Sequence, residues 1–198
     1  EFTGLAARYS SLSAANGRNV INGGGSSGTD QASIWLIVWG ANSIHGIFPK
    51  GSKAGLLQED LGEETVEVTA GVVGTRMRAF RERYQWKCGI AVEDYRYMVR
   101  YQWDPDDAPF DDAEKGVYLA MRKMLNTIYR RGTTTRFYMD RTTKTKLDAQ
   151  LASNDVNPMS WAHPKDMDGS MAPGHAVPMF DGVPIRVTDA LVAETAIT

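Results

Sequence analysis

The chain of 198 residues carries one cysteine, Cys88, and only three histidines, His45, His163 and His175. A single thiol excludes an intrachain disulfide framework and points to a reducing place of origin. The histidines are too far apart in sequence to form a helical or knuckle-type ligand pair, so a zinc site would need distant segments. His163 and His175 share a loop with Asp166 and Asp168, a set that reads as solvated side chains before it reads as a metal site. No cofactor or metal is expected. The longest apolar run, Ile34 to Trp39, is far shorter than the roughly 20 residues that cross a bilayer as a helix. No basic-then-apolar leader opens the chain, which begins Glu1-Phe2-Thr3-Gly4 and reads as part of something longer. A basic excess is missing too. With 22 Lys and Arg against 24 Asp and Glu, the net charge is -2, which does not suggest a nucleic-acid binder unless charge is segregated.

Catalytic signatures are equally scarce. The stretch HGIFPKGSKAGLLQEDLG, residues 45–62, has the composition of a phosphate-gripping loop but not its order. Lys50-Gly51-Ser52-Lys53 lacks the Gly-Lys-Ser/Thr sequence that cradles phosphates before a helix. The dinucleotide fingerprint and the Gly-x-Ser-x-Gly elbow are absent. Cys88 falls on the apolar parity of a predicted strand, where a thiol is inert core. The adjacent acids Glu93-Asp94, Asp106-Asp107 and Asp111-Asp112 suit solvated or capping roles. The quoted stretch is therefore expected to be a glycine-hinged surface loop, basic at Lys50 and Lys53 and acidic at Glu59, Asp60, Glu63 and Glu64.

The elements present suggest an α+β protein. Residues 22–30 read as a flexible loop, and 33–40 as a strand buried on both faces. Residues 64–72 alternate weakly, as in a strand near an edge. Period-2 patterns put Tyr84, Trp86, Cys88, Ile90 and Val92 on one face, then Tyr95, Tyr97, Val99, Tyr101 and Trp103. Arginines and other polar residues take the opposite parity, so two antiparallel strands with one solvated face are expected. A helix follows a Pro/Asp-rich connector. Asp111 and Glu114 form its expected capping box, Val117, Met121, Met124, Leu125 and Ile128 its apolar stripe, and Arg130, Arg131 and Gly132 its end. A strand at 134–140, a helix at 142–152 with Leu147 and Leu151 inward, and a loop at 153–176 come next. A hairpin at 177–187 turns at Asp181-Gly182, with Pro184 implying an edge arm or pairing by the other face. The mixture of arginines and aromatics at 76–103 also resembles a base-stacking platform, but the parity separates cations from rings, and a core face with a solvated or subunit-facing back fits better.

Four stretches carry a resemblance: FTGLAARYSSLSAANGRNVINGGG, SIWLIVWGANSIHGIFPKGSKAGLLQEDLG, RYQWKCGIAVEDYRYMVR and FDGVPIRVTDAL. In this order, over nearly the whole chain, they resemble the major capsid proteins of tailed bacteriophages with the Hong Kong 97-type fold. The resemblance implies a non-enzymatic shell subunit of a virion, made in the bacterial host cytoplasm. Its partners would be copies of itself in hexamers and pentamers, and scaffold, portal or decoration proteins. It would enclose double-stranded DNA without reading sequence, and no membrane is implied. It also implies a C-terminal portion without N-terminal arm, extended loop or spine helix. On this reading residues 1–110 are a β-rich region with peripheral-domain strands, and 111–198 mainly axial-domain helices and hairpin. The helix at 115–130 would be axial, and the strands at 84–103 would belong to the central sheets. His45, Phe48, Lys50, Lys53, Glu59 and Asp60 are then candidates for subunit contact, and 22–30 and 153–176 for flexing between ring environments. The alternatives from other classes are a nucleic-acid-binding β-rich module and a small α+β enzyme; a nanocompartment shell is a variant of the first reading.

Overall fold

The computed structural model describes residues 4–24, 28–51, 55–68, 74, 76–105, 116–153, 159–162, 177–191 and 197, and the statements that follow concern these. The chain forms two compact units. The first comprises residues 1–45 and 92–198, the second residues 46–91.

The first unit is built on a seven-stranded mixed sheet. Its strands are β1 (Val20–Asn22), β2 (Ala32–Val38), β7 (Met98–Trp103), β8 (Thr135–Met139), β9 (Met159–Ala162), β10 (Val177–Phe180) and β11 (Val183–Val187). Their order is β1-β7-β2-β8-β11-β10-β9. Two pairings are parallel, β1 with β7 and β11 with β8. The others named run antiparallel. The remaining strands are β3 (Ile44–Ile47), β4 (Leu56–Glu67), β5 (Arg76–Trp86) and β6 (Gly89–Val92), which form two separate two-stranded pairings, β3 with β6 and β4 with β5.

One sheet face packs on two helices, α2 (Val117–Thr127) and α3 (Arg141–Ser153). Alternate residues Ile34, Leu36 and Val38 of β2, Val99, Tyr101 and Trp103 of β7, and Phe137 and Met139 of β8 meet the α2 stripe. Val117, Ala120, Met121, Met124, Leu125 and Ile128 supply that stripe, and Leu147 and Leu151 the α3 contribution. The expected apolar spacing therefore faces the core at every position, because a period of 3.6 residues keeps it on one side. Phe137 and Phe180 meet edge to face at 6.1 Å.

The opposite face is covered by the N-terminal segment, including the short helix α1 (Leu5–Arg8). Tyr9 stands edge-on to Trp35 at 6.1 Å. Its hydroxyl donates to the Tyr95 carbonyl at 3.0 Å, and Asn19 Nδ2 donates to the Met98 carbonyl at 2.8 Å. This cover explains two departures from the parity reading. Arg100 and Gln102, expected in solvent, are buried, and β7 is buried along its whole length. Arg100 donates from its guanidinium to the Tyr9 carbonyl at 2.6 Å, the Ala6 carbonyl at 3.3 Å and Ser33 Oγ at 3.2 Å. Gln102 Oε1 accepts from the Ile197 amide at 2.6 Å.

Other expectations are corrected. The run 84–92 is not one strand: β5 ends at Trp86, and β6 starts at Gly89 with a different partner. Neither strand pairs with β7, whose neighbours are β1 and β2. Residues 45–62 are not one loop, because 45–47 belong to β3 and 56–62 to β4. Asp181-Gly182 makes the expected tight turn, with φ of 49° and 76°. The arm carrying Pro184 is interior rather than an edge, lying between β10 and β8. Proline is accommodated because pairing to β8 begins one residue later, at Ile185.

The start of α2 is set from a distance. Its N-cap is Gly116, whose side offers no cap, while Asp111 and Glu114 lie outside the described residues. Gln150 of α3 reaches across, and its Oε1 accepts the Tyr118 amide at 2.9 Å. α3 is capped locally, with the Asp140 carboxylate accepting from Thr142 N at 2.9 Å and Thr143 N at 3.2 Å. Replacing Gln150 with Leu leaves the partly buried Tyr118 amide without this partner. Urea unfolding of the variant is expected to show a loss of about 1–2 kcal/mol.

Candidate subunit interface

The second unit is dominated by the β4–β5 ribbon. β4 takes the sequence LLQEDLGEETVE and β5 the sequence RMRAFRERYQW. Both are almost wholly exposed. Two halves of regular pairing, Leu56–Asp60 with Glu82–Trp86 and Glu63–Glu67 with Arg76–Phe80, are separated by a bulge between Asp60 and Glu63. The bulge has a chemical cause. Asp60 Oδ1 accepts from the Gly62 amide at 2.8 Å, and Gly62 sits at φ 73°, a left-handed conformation that suits glycine.

The register sorts the side chains. Trp86, Tyr84 and Phe80 share one ribbon face, because even-numbered positions of β5 point one way. They are 67%, 58% and 83% exposed. Charge separates by strand instead. β4 holds Glu59, Asp60, Glu63, Glu64 and Glu67 with no cation. β5 holds Arg76, Arg78, Arg81 and Arg83 with one acid, Glu82. Across the ribbon Arg78 meets Glu63 at 3.3 Å and Arg83 meets Glu59 at 3.8 Å, and Arg81 pairs with Glu64. These are solvent-exposed pairs, each contributing about 0–1 kcal/mol.

Four of the sequence-derived candidates lie in this unit with solvent-facing side chains. Phe48 is 60% exposed and Lys50 is exposed beside it in sequence, and Glu59 and Asp60 lie on β4. His45 belongs to the first unit and is half-buried, with Nδ1 buried and no hydrogen-bond partner. Lys53 lies outside the described residues. Glu59 and Asp60 are thus brought together with an arginine ladder that sequence reasoning assigned elsewhere. Tyr84 and Trp86 were expected in a core, and they face solvent; Cys88, expected there too, is exposed. The signal that finds this ribbon is a run of acids followed by a run of arginines at matching strand spacing.

In the first unit, a cleft of about 370 Å³ is lined by Arg18, Asn19, Tyr95, Arg96, Ile128 and Tyr129, among others. Its cations are engaged at Arg96, which forks onto Asp94 at 2.7 Å and lies 4.3 Å over the Tyr129 ring. The Arg96 guanidinium holds the Asp94 carboxyl below the usual carboxylate range. Among the described residues no group of three or more His, Cys, Asp or Glu is placed to hold a metal; His163, His175, Asp166 and Asp168 lie outside them. No described helix is long and apolar enough to cross a membrane.

Comparison with known proteins adds three findings. The model of one protein family, described as major capsid protein GP7, matches residues 1–198. No curated protein matches the chain. Among solved structures, a chain of bacteriophage Epsilon15, determined by cryo-EM and modelling, is similar with a TM-score of 0.53 and 21% identity. The similarity covers 100% of the present chain and 59% of the phage chain, so the present chain spans little more than half of that protein.

Proposed function

The chain belongs to the major capsid protein GP7 family, and from that membership we propose that it is a shell-forming part of a bacteriophage head. In this reading copies associate into the five-fold and six-fold rings of an icosahedral shell around double-stranded DNA. The observation that carries the proposal is the family match along residues 1–198. The ribbon supports it, since a two-stranded sheet with exposed aromatics is marginal alone in water and gains by meeting a neighbour. The virion is the corresponding location, with synthesis in the host cytoplasm. Scaffold, portal and decoration proteins are its further partners.

The first unit, a sheet covered by α2 and α3, corresponds on this reading to the axial domain, and the β4–β5 ribbon to a peripheral element. Neither assignment calls for catalysis, in keeping with a family of structural proteins. Near-neutral charge suits a wall that encloses DNA without gripping it.

The test is expression of the full-length protein, with its scaffold if required, followed by electron microscopy. Closed shells are expected. Soluble copies that never assemble, or that retard oligonucleotides with steep salt dependence, would replace the proposal with a nucleic-acid-binding module. His45, Phe48, Lys50, Lys53, Glu59 and Asp60 are proposed as contact residues within the shell. Replacing Lys50 and Lys53 together with Glu is expected to lower shell melting in a thermal scan, because a weak contact of about 0–1 kcal/mol recurs at every copy. An unchanged melting profile would remove those lysines from the interface.

A further inference from the structure

We infer that the ribbon joins copies edge to edge, with β4 of one copy against β5 of the next. The inference rests on the shell reading and specifies the contact it uses. Among the described residues the sheet stops at two strands, so β4 and β5 each have one edge without a strand partner. Those edges differ in charge. β4 has five acids and no bases, a net of -5. β5 has four arginines against one glutamate, a net of +3.

Consider the three ways two such ribbons can meet side by side. Placing β4 against β4 sets acids opposite acids, and β5 against β5 sets arginines opposite arginines. Like charges directly across a strand pair are destabilising. Placing β4 against β5 continues the alternation of sign already seen inside the ribbon, where Glu63 meets Arg78, Glu64 meets Arg81 and Glu59 meets Arg83. Each glutamate then lies between an arginine of its own copy and one of the neighbour. Edges of opposite net charge thus disfavour the two symmetric pairings and favour the asymmetric one. An asymmetric, head-to-tail contact is the kind that closes into rings when its rotation permits. A second copy of this chain is therefore the occupant the charges select. The two regular halves, Leu56–Asp60 and Glu63–Glu67, have the usual length of a paired strand.

The test exchanges the three pairs: Glu59→Arg with Arg83→Glu, Glu63→Arg with Arg78→Glu, and Glu64→Arg with Arg81→Glu. Each pair inside the ribbon survives in reversed direction and the chain's net charge is unchanged. In the full-length protein, the exchanged chain is expected to form shells with itself. Expressed beside tagged wild type, it is expected to sort into separate shells. Its recovery with the tag should fall at least tenfold below random mixing, because wild-type β4 then faces an acidic β5. Random mixing overturns the inference, and so does a folded exchanged chain that cannot form shells with itself.

Should the exchanged chain fail to fold, a second measurement decides. Shells with the native charges and Cys88→Ser are built from a mixture of Thr65→Cys and Met77→Cys chains and treated with a short bis-maleimide. Cross-linked dimers joining the two kinds of chain support the pairing. Dimers of like chains, or none, overturn it. Wild type that forms no shells at all defeats the proposed function instead, so the two failures are separable.

Discussion

Replacing Arg100 with Met is expected to remove about 3–4 kcal/mol of stability in urea unfolding, a large share of what a domain of this size holds. Arg100 is only 2% exposed, in the middle of β7. Its guanidinium is the donor that the carbonyls of Ala6 and Tyr9 and the Ser33 hydroxyl accept from. The same group lies 5.2 Å over the Trp35 ring, which Tyr9 packs against. Methionine fills much of the volume of the stem but donates nothing, so buried acceptors lose their partner. Lysine keeps the charge and recovers only part of the loss, because one ammonium cannot replace a planar fork reaching three acceptors. The damage should be local first. Amide exchange at Tyr9 and Asn19 is expected to accelerate before that of α2, since those residues are held to the sheet by this face. Arg96→Ala is the control. Arg96 is an exposed side chain paired with Asp94, and its loss should cost far less than that of Arg100. Equal losses at the two arginines would mean that the buried contacts of Arg100 contribute no more than a surface pair.

Residue patterns announce some of this architecture and conceal the rest, and the reason differs from element to element. β2 is legible because a strand covered on both faces needs an unbroken apolar run, and Ile34 to Val38 supplies it. α2 is legible because its stripe has one period and one buried side. The turn at Asp181-Gly182 is legible because few dipeptides accept two positive φ values. Arg100 is not legible, because alternation reports two faces and says nothing of what lies on the second; here the segment around Tyr9 covers it. Tyr84 and Trp86 mislead for the converse reason. Their parity marks a shared face, and no other described element covers that face within one chain. The cap on α2 is hidden because Gln150 comes from another helix, 32 positions away from the amide that it receives. The candidates Glu59 and Asp60 were legible as an acidic patch. The arginine partner of Glu59, Arg83 on β5, was not, because charge pairing across a ribbon depends on register.

Replacing Phe80 and Trp86 with Ser should abolish assembly at concentrations where the wild type forms shells, while the melting of the isolated subunit stays within about 0.5 kcal/mol. The asymmetry follows from where the rings lie. Among the described residues they are largely exposed, at 83% and 67%, so removing them costs the fold little. In a shell whose ribbons continue from copy to copy, the same face becomes part of a wider sheet that a neighbouring subunit can cover. Covering a large side chain contributes about 1.5–3 kcal/mol, so two rings account for about 3–6 kcal/mol at every repeat of the contact. A deficit of that size raises the concentration needed for assembly at least a hundredfold, since each 1.4 kcal/mol is a factor of ten. Sedimentation of the double variant over a concentration series measures the threshold directly. Tyr84→Phe provides the contrast, because it keeps the ring and removes only the hydroxyl that donates to Glu82. Its threshold should stay close to that of the wild type. If instead the double variant assembles at the wild-type threshold, the aromatic face is solvated in the shell as it is in the single chain, and the ribbon's contribution comes from its charged edges alone.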